Sequence, residues 1–384
     1  MTSTPLRPKG HHGPLPRNGP CAELRAQVRE LTAEWRDAGR YVPRSDSWLR
    51  SFDLEFSKEL AARGLVAMTY PKEFGGAERT NVERLAVTEE LLRAGAPVAA
   101  HWIGDRQIGP AVLRHGTRDL REEIVPRIAS GEAVFCLGMS EPEAGSDLAS
   151  VRTKAERVEG GWLVNGHKIW TTQAHHATHA YLLARTSREE RKHDGLSEFI
   201  LDMDAEGVQV TPIVDLAGEH HFNEVRFENV FVPAHRVIGE VGKGWKQVVE
   251  QLSFERGGAE RSLSSYPVFV ELIAEAARQR DDRELHALLG SLVARLAVLR
   301  RLCLEVASAM DAGRAPVQQA AALKYLGNAF EHDVIEALRR TGLCQDPAFD
   351  STFGQALLAS PAFSLRGGAA EVLLSLIARQ EARS

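Results

Sequence analysis

The period of the hydrophobic pattern changes twice along the chain, and this limits the fold more than any other feature of the sequence. Residues 22–133 have the period of amphipathic helices. Residues 134–236 contain roughly six short β-branched and aromatic segments separated by turn residues, as in a small antiparallel barrel or sandwich. Helical patterns return from about residue 243. The sequence therefore predicts an α+β multidomain protein with an N-terminal α-helical domain, a middle antiparallel β-barrel and a C-terminal four-helix bundle over residues 237–384.

Local signals add detail to these three zones. Residues 1–21 are rich in proline and glycine and lack an apolar signal core, so a disordered leader is expected there. Asn165-Gly166 predicts a hairpin turn, and Ser45 or Asp46 is the expected cap of a helix. Long helices of the C-terminal bundle are expected over residues 246–276, 283–311, 315–341 and 369–382.

Composition excludes several classes of protein. The formal net charge of −5 argues against a nucleic-acid-binding surface as the main function, and no apolar run reaches the length that crosses a membrane. The four cysteines are scattered without metal-ligand spacing, which favours reduced thiols in a cytoplasmic protein. Histidines cluster at His175, His176 and His179 and again at His220-His221, but no cysteine or acidic cluster completes a ligand set, so no metal site is expected.

Polar residues are densest in one stretch, which reads MSEPEAGSDLASVRTKAERVEGGWLVNGHKIWTT. Within it, Gly145 and Ser146 supply N–H groups and a hydroxyl that suit an anionic or amide-like ligand. Trp170 and Thr172 alternate with Thr171, so their side chains are expected on one face of a strand, where an aromatic plane and a hydroxyl suit a stacked heterocycle. The alternative is that Trp170 packs in the barrel against a helix.

Glu255 has no partner nearby in the sequence. It lies in the segment SFERGG, and no cationic residue is three or four positions away, although a charge on a helix is normally paired with an opposite charge at those spacings. Arg256, in contrast, has Glu260 four residues further on and can be explained as an ordinary surface pair. Glu255 therefore either pairs with a cation distant in sequence or has a chemical role.

Long, ordered motifs resemble those of a known family. SEPEAGSDLASVRTKA followed by GWLVNGHKIWTT resembles the flavin-facing signature of the acyl-CoA dehydrogenases, and NEVRFENVFVP and the GxGW motif ending at Trp245 occur at the matching places. The resemblance extends from about residue 22 to the C-terminus and includes the order of the three domains. It implies bound FAD and α,β-desaturation of an acyl-CoA thioester. In that reaction a carboxylate removes the α-proton while the β-hydrogen leaves as hydride to flavin N5.

The resemblance also implies the positions of the site residues. Ser146 would meet the pantetheine or phosphate part of the thioester, and Arg256 would face the nucleotide part of CoA. The N–H of Gly367 would donate to the thioester oxygen. The residues implied to contact the flavin are Leu137, Met139, Ser140, Trp170, Thr171 and Thr172.

The implied position of the catalytic base departs from the commoner pattern of the family. Many members have a glutamate just before a Gly-Thr near the C-terminus, where this chain has Gly367, which lacks a side chain. A smaller set, similar to isovaleryl- and long-chain-acyl-CoA dehydrogenases, has the glutamate on the earlier helix, and the matching position here is Glu255. The resemblance thus gives a role to the glutamate that has no local partner. Glu371 is the alternative carboxylate.

The chain lacks two elements with which family members usually bind the cofactor of a neighbouring subunit. An Arg-x-x-Phe-Gly motif is replaced by AARQRDDRELHALLG, and a glycine-rich segment is replaced by CQDPAFDSTFG. The implied partners are an electron-transfer flavoprotein as electron acceptor and a tetramer in which a related dehydrogenase subunit lends the missing elements. Two other functions stay open: a dehydrogenase for acyl groups on a carrier protein in a biosynthetic pathway, and a structural subunit of a heteromeric dehydrogenase.

Overall fold

A computed structural model describes the backbone of residues 20–341 and 351–381, and the side chains of those residues except 20, 253–255, 380 and 381. The expected leader lies outside this range, apart from its last two residues, which already belong to the first helix. Cys344 also lies outside it, whereas Cys21, Cys136 and Cys303 are free thiols. Throughout the described ranges, no helix is long and apolar enough to cross a membrane.

The N-terminal zone is helical over its described residues, as the pattern predicts. Its helices are α1 (Pro20–Asp37), α2 (Ser47–Arg50), α3 (Leu54–Ala62), α4 (Asn81–Arg93), α5 (Ala99–Ile103), α6 (Gly109–His115) and α7 (Arg118–Ala129). A π-helical turn over Gly104–Ile108 joins α5 to α6.

Side-chain caps fix where two of these helices begin. Thr80 and Glu83 form a reciprocal capping box at the start of α4. Asp53 caps α3 by accepting a hydrogen bond from the backbone N–H of Phe56. Asp46, one of the two expected caps of α2, does not cap it: its backbone is left-handed, with φ 58°, and its side chain makes no cap hydrogen bond.

The middle zone forms a single sheet of eight strands within the described residues. They are β1 (Phe135–Gly138), β2 (Lys154–Val158), β3 (Gly161–Lys168), β4 (His179–Arg185), β5 (Leu196–Asp202), β6 (Val208–Val214), β7 (His220–Pro233) and β8 (Val237–Ile238). The strand order is β6-β7-β3-β2-β4-β5-β8, with β1 paired to β4. Most pairs are antiparallel, as expected, but β1 and β2 pair with β4 in parallel. The sheet is therefore mixed, and it extends two residues beyond the expected boundary at 236.

The Asn165-Gly166 pair is not a hairpin turn. Both residues lie inside β3, and the turn between β2 and β3 is at Gly160, whose φ is 76°. Asn165 donates from its side-chain amide to Asn229 on β7, and the register with β7 shifts at this point. A Cβ at position 166 would lie 2.3 Å from Thr153 Oγ1. The glycine therefore permits a close approach within the sheet, which is another ordinary use of glycine in a strand.

The C-terminal zone is a helical bundle over its described residues. Its helices are α8 (Gly244–Arg256), α9 (Glu260–Leu263), α10 (Tyr266–Arg278), α11 (Arg283–Asp311), α12 (Val317–Arg340), α13 (Thr352–Ala359) and α14 (Ala370–Glu381). The single helix expected over 246–276 is interrupted twice. The first break follows Arg256 at two glycines, and the second precedes Pro267, which is in the first turn of α10.

Three apolar cores hold the described zones together, and the smallest of them joins the sheet to α8. The largest one is shared by both helical domains and includes Phe56, Trp102 and Phe330. A second core lies within the sheet domain and includes Phe199 and Val230. The two helical domains therefore share one core, and contacts between them can fix residues that are far apart in sequence.

Candidate active site

The ends of β1 and β3 lie side by side and are joined by a buried ion pair. The Nζ of Lys168, at the end of β3, donates to the backbone carbonyl of Met139 at 3.0 Å and to Glu141 Oε1 at 2.9 Å. The carboxylate of Glu141 also accepts from the backbone N–H groups of Arg152 and Thr153, at 2.6 and 2.8 Å. These bonds fix the backbone on either side of Ser140.

Burial is the largest single influence on the pKa of each member of this pair. It lowers the pKa of Lys168 to about 8, although the Glu141 carboxylate acts in the opposite direction. Burial also acts to raise the pKa of Glu141, but the Lys168 charge and the hydrogen bonds from residues 152 and 153 outweigh it and hold that pKa below its usual value. Both groups are therefore charged at neutral pH, and each depends on the other.

Glu141→Gln is expected to destabilise the protein by about 3–5 kcal/mol, because removing one partner leaves the buried Lys168 ammonium uncompensated. Without Glu141, the pKa of Lys168 falls further below 8 while the unfolded chain keeps its usual value. The unfolded state then binds the extra proton, so the stability of the variant rises as pH increases above neutral. Urea unfolding at pH 7 and pH 9 measures this. A variant that is as stable as wild type at pH 7 would contradict the account.

Trp170 is presented to solvent on a strained backbone. Trp170, Thr171 and Thr172 are expected on a strand, but β3 ends at Lys168 and the three residues lie beyond it. Trp170 has φ 59° and is 56% exposed, with Phe222 edge-on at 5.7 Å. A positive φ is unfavourable for a bulky residue, and such strain concentrates at functional sites. The alternative that Trp170 packs in the barrel core is therefore wrong.

The residues after Trp170 are held on two sides. Thr171 is buried, and its backbone N–H donates to the Asn223 carbonyl at 3.0 Å, while the side-chain amide of Asn223 donates to the Thr171 carbonyl at 3.0 Å. Within the described residues, Thr171 Oγ1 has no hydrogen-bond partner. Gln173 donates from its side-chain amide to the carbonyl of Leu49, at the end of the N-terminal domain's helix α2, at 2.8 Å. The segment is thus anchored to the sheet and to α2.

These residues suit a planar heterocycle with polar edges. Leu137, Met139 and Ser140 are half-buried, as is Thr172. An exposed indole can cover a ring face, and the unpartnered hydroxyl of Thr171 can bond to an edge atom once a ligand is bound. The isoalloxazine of FAD has both features, so the residues present fit FAD. Ser146 is exposed on the loop that follows β1, and its predicted contact with the thioester stays a prediction.

The end of α8 meets the turn at Gly367. Arg256 is only 7% exposed, so its interpretation as an ordinary surface residue is wrong. Its Nε donates to the carbonyl of Gly367 at 2.8 Å. Gly367 and Gly368 both have positive φ, 68° and 113°, which only glycine adopts without strain. The side chain of Glu255 lies outside the described residues, but its backbone belongs to the turn of α8 that carries Arg256.

The same turn is tied to the N-terminal domain. Arg366 forms an ion pair with Asp46 and donates to Ser264 Oγ at 3.0 Å. The backbone N–H of Asp46 donates to the Ser264 carbonyl at 2.8 Å, and the indole N–H of Trp48 donates to Ser264 Oγ at 2.9 Å. Sequence patterns gave no signal for this cluster, because Asp46 and Arg366 are 320 residues apart.

The remaining candidate residues are Glu371 and the histidines around residue 175. Glu371, the alternative base, is exposed on α14. The rings of His175 and His220 stack at 4.0 Å, and His176 lies 4.1 Å from His175. Burial lowers the pKa of His175 to about 4, and it also lowers that of His176. In the part of the chain that the structure describes, no group of three or more histidine, cysteine or acidic residues could hold a metal ion.

Comparisons with known proteins identify the family. The family models for the acyl-CoA dehydrogenase N-terminal, middle and C-terminal domains match residues 22–132, 136–230 and 242–382. The acyl-CoA dehydrogenase FadE26 of Mycobacterium tuberculosis is 32% identical over 323 residues, which cover 78% of this chain and 79% of the relative. The acyl-CoA dehydrogenase IpdE1 of the same organism is 40% identical over 202 residues, which cover 53% of this chain and only 52% of IpdE1.

Solved structures agree with this assignment. The ChsE4–ChsE5 complex from Mycobacterium tuberculosis superposes with a TM-score of 0.80 at 29% identity, covering 94% of this chain and 96% of the matched chain. The chain belongs to the acyl-CoA dehydrogenase family. FAD is the cofactor of that family, in agreement with the fit of the residues around Trp170.

Proposed function

We propose that the protein catalyses FAD-dependent α,β-desaturation of an acyl-CoA thioester, with Glu255 as the base. The observation that carries the proposal is the hydrogen bond from Arg256 to the Gly367 carbonyl at 2.8 Å. It joins the helix turn that contains Glu255 to the glycine turn expected to bind the thioester oxygen. Arg256 is thereby a residue that holds this turn, and its expected contact with the nucleotide part of CoA stays a prediction.

In the proposed reaction, a proton is removed next to a thioester carbonyl. The N–H of Gly367 donates to the thioester oxygen and stabilises the negative charge that grows there as the α-proton leaves. The carboxylate of Glu255 accepts that proton. Bound FAD supplies the acceptor for the β-hydrogen. The chain's own residues orient the reacting groups. The bonds from Lys168 hold Met139 and Ser140 at one side of the proposed flavin site, and Trp170 shields that site from water.

The proposal is tested by incubating the purified protein with a panel of CoA thioesters and an artificial electron acceptor. We expect acceptor reduction together with a matching amount of the α,β-unsaturated product, identified by mass spectrometry. Turnover of acyl groups on a carrier protein, with none on CoA, would favour the alternative substrate. A flavin-containing protein that oxidises neither would contradict desaturation as the function.

We propose further that the chain assembles with a related dehydrogenase subunit, with an electron-transfer flavoprotein as electron acceptor. The support is the missing Arg-x-x-Phe-Gly motif, together with the similarity to a chain of the ChsE4–ChsE5 complex. Arg278 lies in the segment that replaces this motif. Its side chain is 73% exposed at the end of α10 and forms an ion pair with Glu275 at 3.1 Å. The replaced glycine-rich segment lies largely outside the described residues.

The mixed assembly is tested by expressing the chain alone and then together with a related dehydrogenase subunit. We expect the chain alone to retain little FAD, and the pair to form a flavin-loaded tetramer whose mass is measured by light scattering. A stable, flavin-loaded and active homotetramer of the single chain would contradict the mixed assembly and leave the proposed reaction intact.

A further inference from the structure

A cavity of about 210 Å³ lies between three helical segments of the two helical domains. Its walls come from α4, from the stretch that includes α9 and the start of α10, and from α11. No strand of the described sheet contributes to it. Apolar and basic side chains share the lining, which includes Ala259, Leu263, Tyr266, Glu89, Arg93 and Arg300.

The cavity begins close to the proposed base. Ala259 is four residues after Glu255, in the break between α8 and α9, so the backbones of the cavity lining and of that glutamate are within about 14 Å of each other. The flavin-facing residues around Met139 and Trp170 belong to the sheet domain. A group that extends from the thioester past Glu255 towards the helical domains can therefore enter the cavity without competing with the cofactor.

The outer end of the cavity carries a surplus of positive charge. Four guanidinium groups pair with two buried carboxylates, and of these residues Arg93, Arg300 and Glu89 line the cavity, so the lining carries one net positive charge. The contributing ion pairs are Arg25 with both Glu89 and Glu90, Arg29 with Glu90 at 2.8 Å, Arg300 with Glu89 at 2.8 Å, and Arg93 with Glu90 at 3.6 Å. An anion at this end would neutralise this charge.

Two of these arginines face the cavity and can reach a ligand. Arg93 and Arg300 both line it and are 44% and 46% exposed, so they border both the cavity and solvent. Arg93 makes the longest of the ion pairs above and lies over the ring of Tyr266, 5.2 Å from its centroid. Its guanidinium has five N–H donors, more than one distant carboxylate can use.

We propose that this cavity binds the distal end of the acyl group and that Arg93 and Arg300 bind a carboxylate at that end. The preferred substrate class would then be CoA thioesters of acids that carry a second carboxylate. At ~30 Å³ for each water molecule, the cavity has room for about seven waters, which suits a short apolar segment and its terminal anion. The inference rests on the proposed function, because the thioester must lie at Glu255 and Gly367.

The experiment compares two CoA thioethers of equal length, one ending in a methyl group and one in a carboxylate. Thioethers lack the carbonyl and are not oxidised, so calorimetric titration of the flavin-loaded protein measures binding alone. We expect the carboxylated thioether to bind about threefold to tenfold more tightly, with a preference that weakens as salt increases. Arg93→Met should abolish most of the preference, and Arg93→Lys should restore part of it.

Arg29→Met is the matched control, because Arg29 pairs with the same Glu90 but does not line the cavity. We expect it to keep the preference. Equal affinity of wild type for the two thioethers, or an equal loss in Arg29→Met and Arg93→Met, would overturn the distal carboxylate site while leaving the proposed reaction standing. Failure of both thioethers to bind would contradict the proposed function itself, and this inference with it.

Discussion

Glu255→Gln is expected to lower the rate of desaturation by about two to four orders of magnitude, the usual contribution of a positioned general base. Glutamine keeps the size and hydrogen-bonding capacity of glutamate but cannot accept the α-proton. The flavin content should stay near that of wild type, because the residues that we propose contact the flavin belong to the sheet domain. The measurement is kcat with the best substrate of the thioester panel, corrected for bound flavin.

Glu371→Gln is the matched control for this prediction. Glu371 is exposed on α14, whereas Arg256, next to Glu255, is buried against Gly367. We therefore expect the control to turn over at a rate close to wild type. A normal rate in Glu255→Gln together with an inactive Glu371→Gln would move the base to the C-terminal position.

Asp46→Asn is expected to destabilise the protein by about 3 kcal/mol and to lower kcat at the same time. Asp46 is 2% exposed and its ion-pair partner Arg366 is 13% exposed, so the substitution leaves a largely buried guanidinium without its carboxylate. Asparagine tolerates the left-handed backbone at this position, so the change acts mainly through charge. Because Arg366 precedes Gly367, a shift of Arg366 moves the N–H expected to bind the thioester oxygen.

Asp37→Asn serves as the control for charge alone. Asp37 pairs with Arg36 at 2.9 Å, but the two side chains are 67% and 52% exposed, and such pairs contribute about 0–1 kcal/mol. Urea unfolding and kcat should both stay close to wild type. If Asp46→Asn loses stability but keeps the wild-type kcat per bound flavin, then the Asp46–Arg366 pair has a structural role and does not position Gly367.

The predictable parts of the fold are those with local causes. The change of hydrophobic period places the helical, sheet and helical zones, and the capping box at Thr80 and Glu83 marks the start of α4. The Asn165-Gly166 signal failed because an Asn-Gly pair fits a strand irregularity as well as a hairpin turn. There the glycine is required by the close approach of Thr153, a residue of another segment.

The parts of the candidate site that sequence reasoning missed depend on contacts distant in sequence. Arg256 looked like a surface residue because its i+4 neighbour is acidic, yet it is buried against a carbonyl 111 residues away. Asp46 looked like a helix cap, but its carboxylate is used by Arg366, from the far end of the chain. Neither contact leaves a periodic pattern, so only the packing of the two helical domains reveals it.

Anaerobic mixing of the flavin-loaded protein with an acyl-CoA thioester tests the central claim most directly. The absorbance of oxidised flavin is followed in a stopped-flow instrument, and the acyl products are analysed after a single turnover. The account predicts rapid loss of the oxidised-flavin absorbance, one unsaturated thioester formed for each flavin reduced, and a rate at least about a hundredfold lower in Glu255→Gln. Flavin that stays oxidised with every thioester, or that is reduced equally fast in Glu255→Gln, would contradict it.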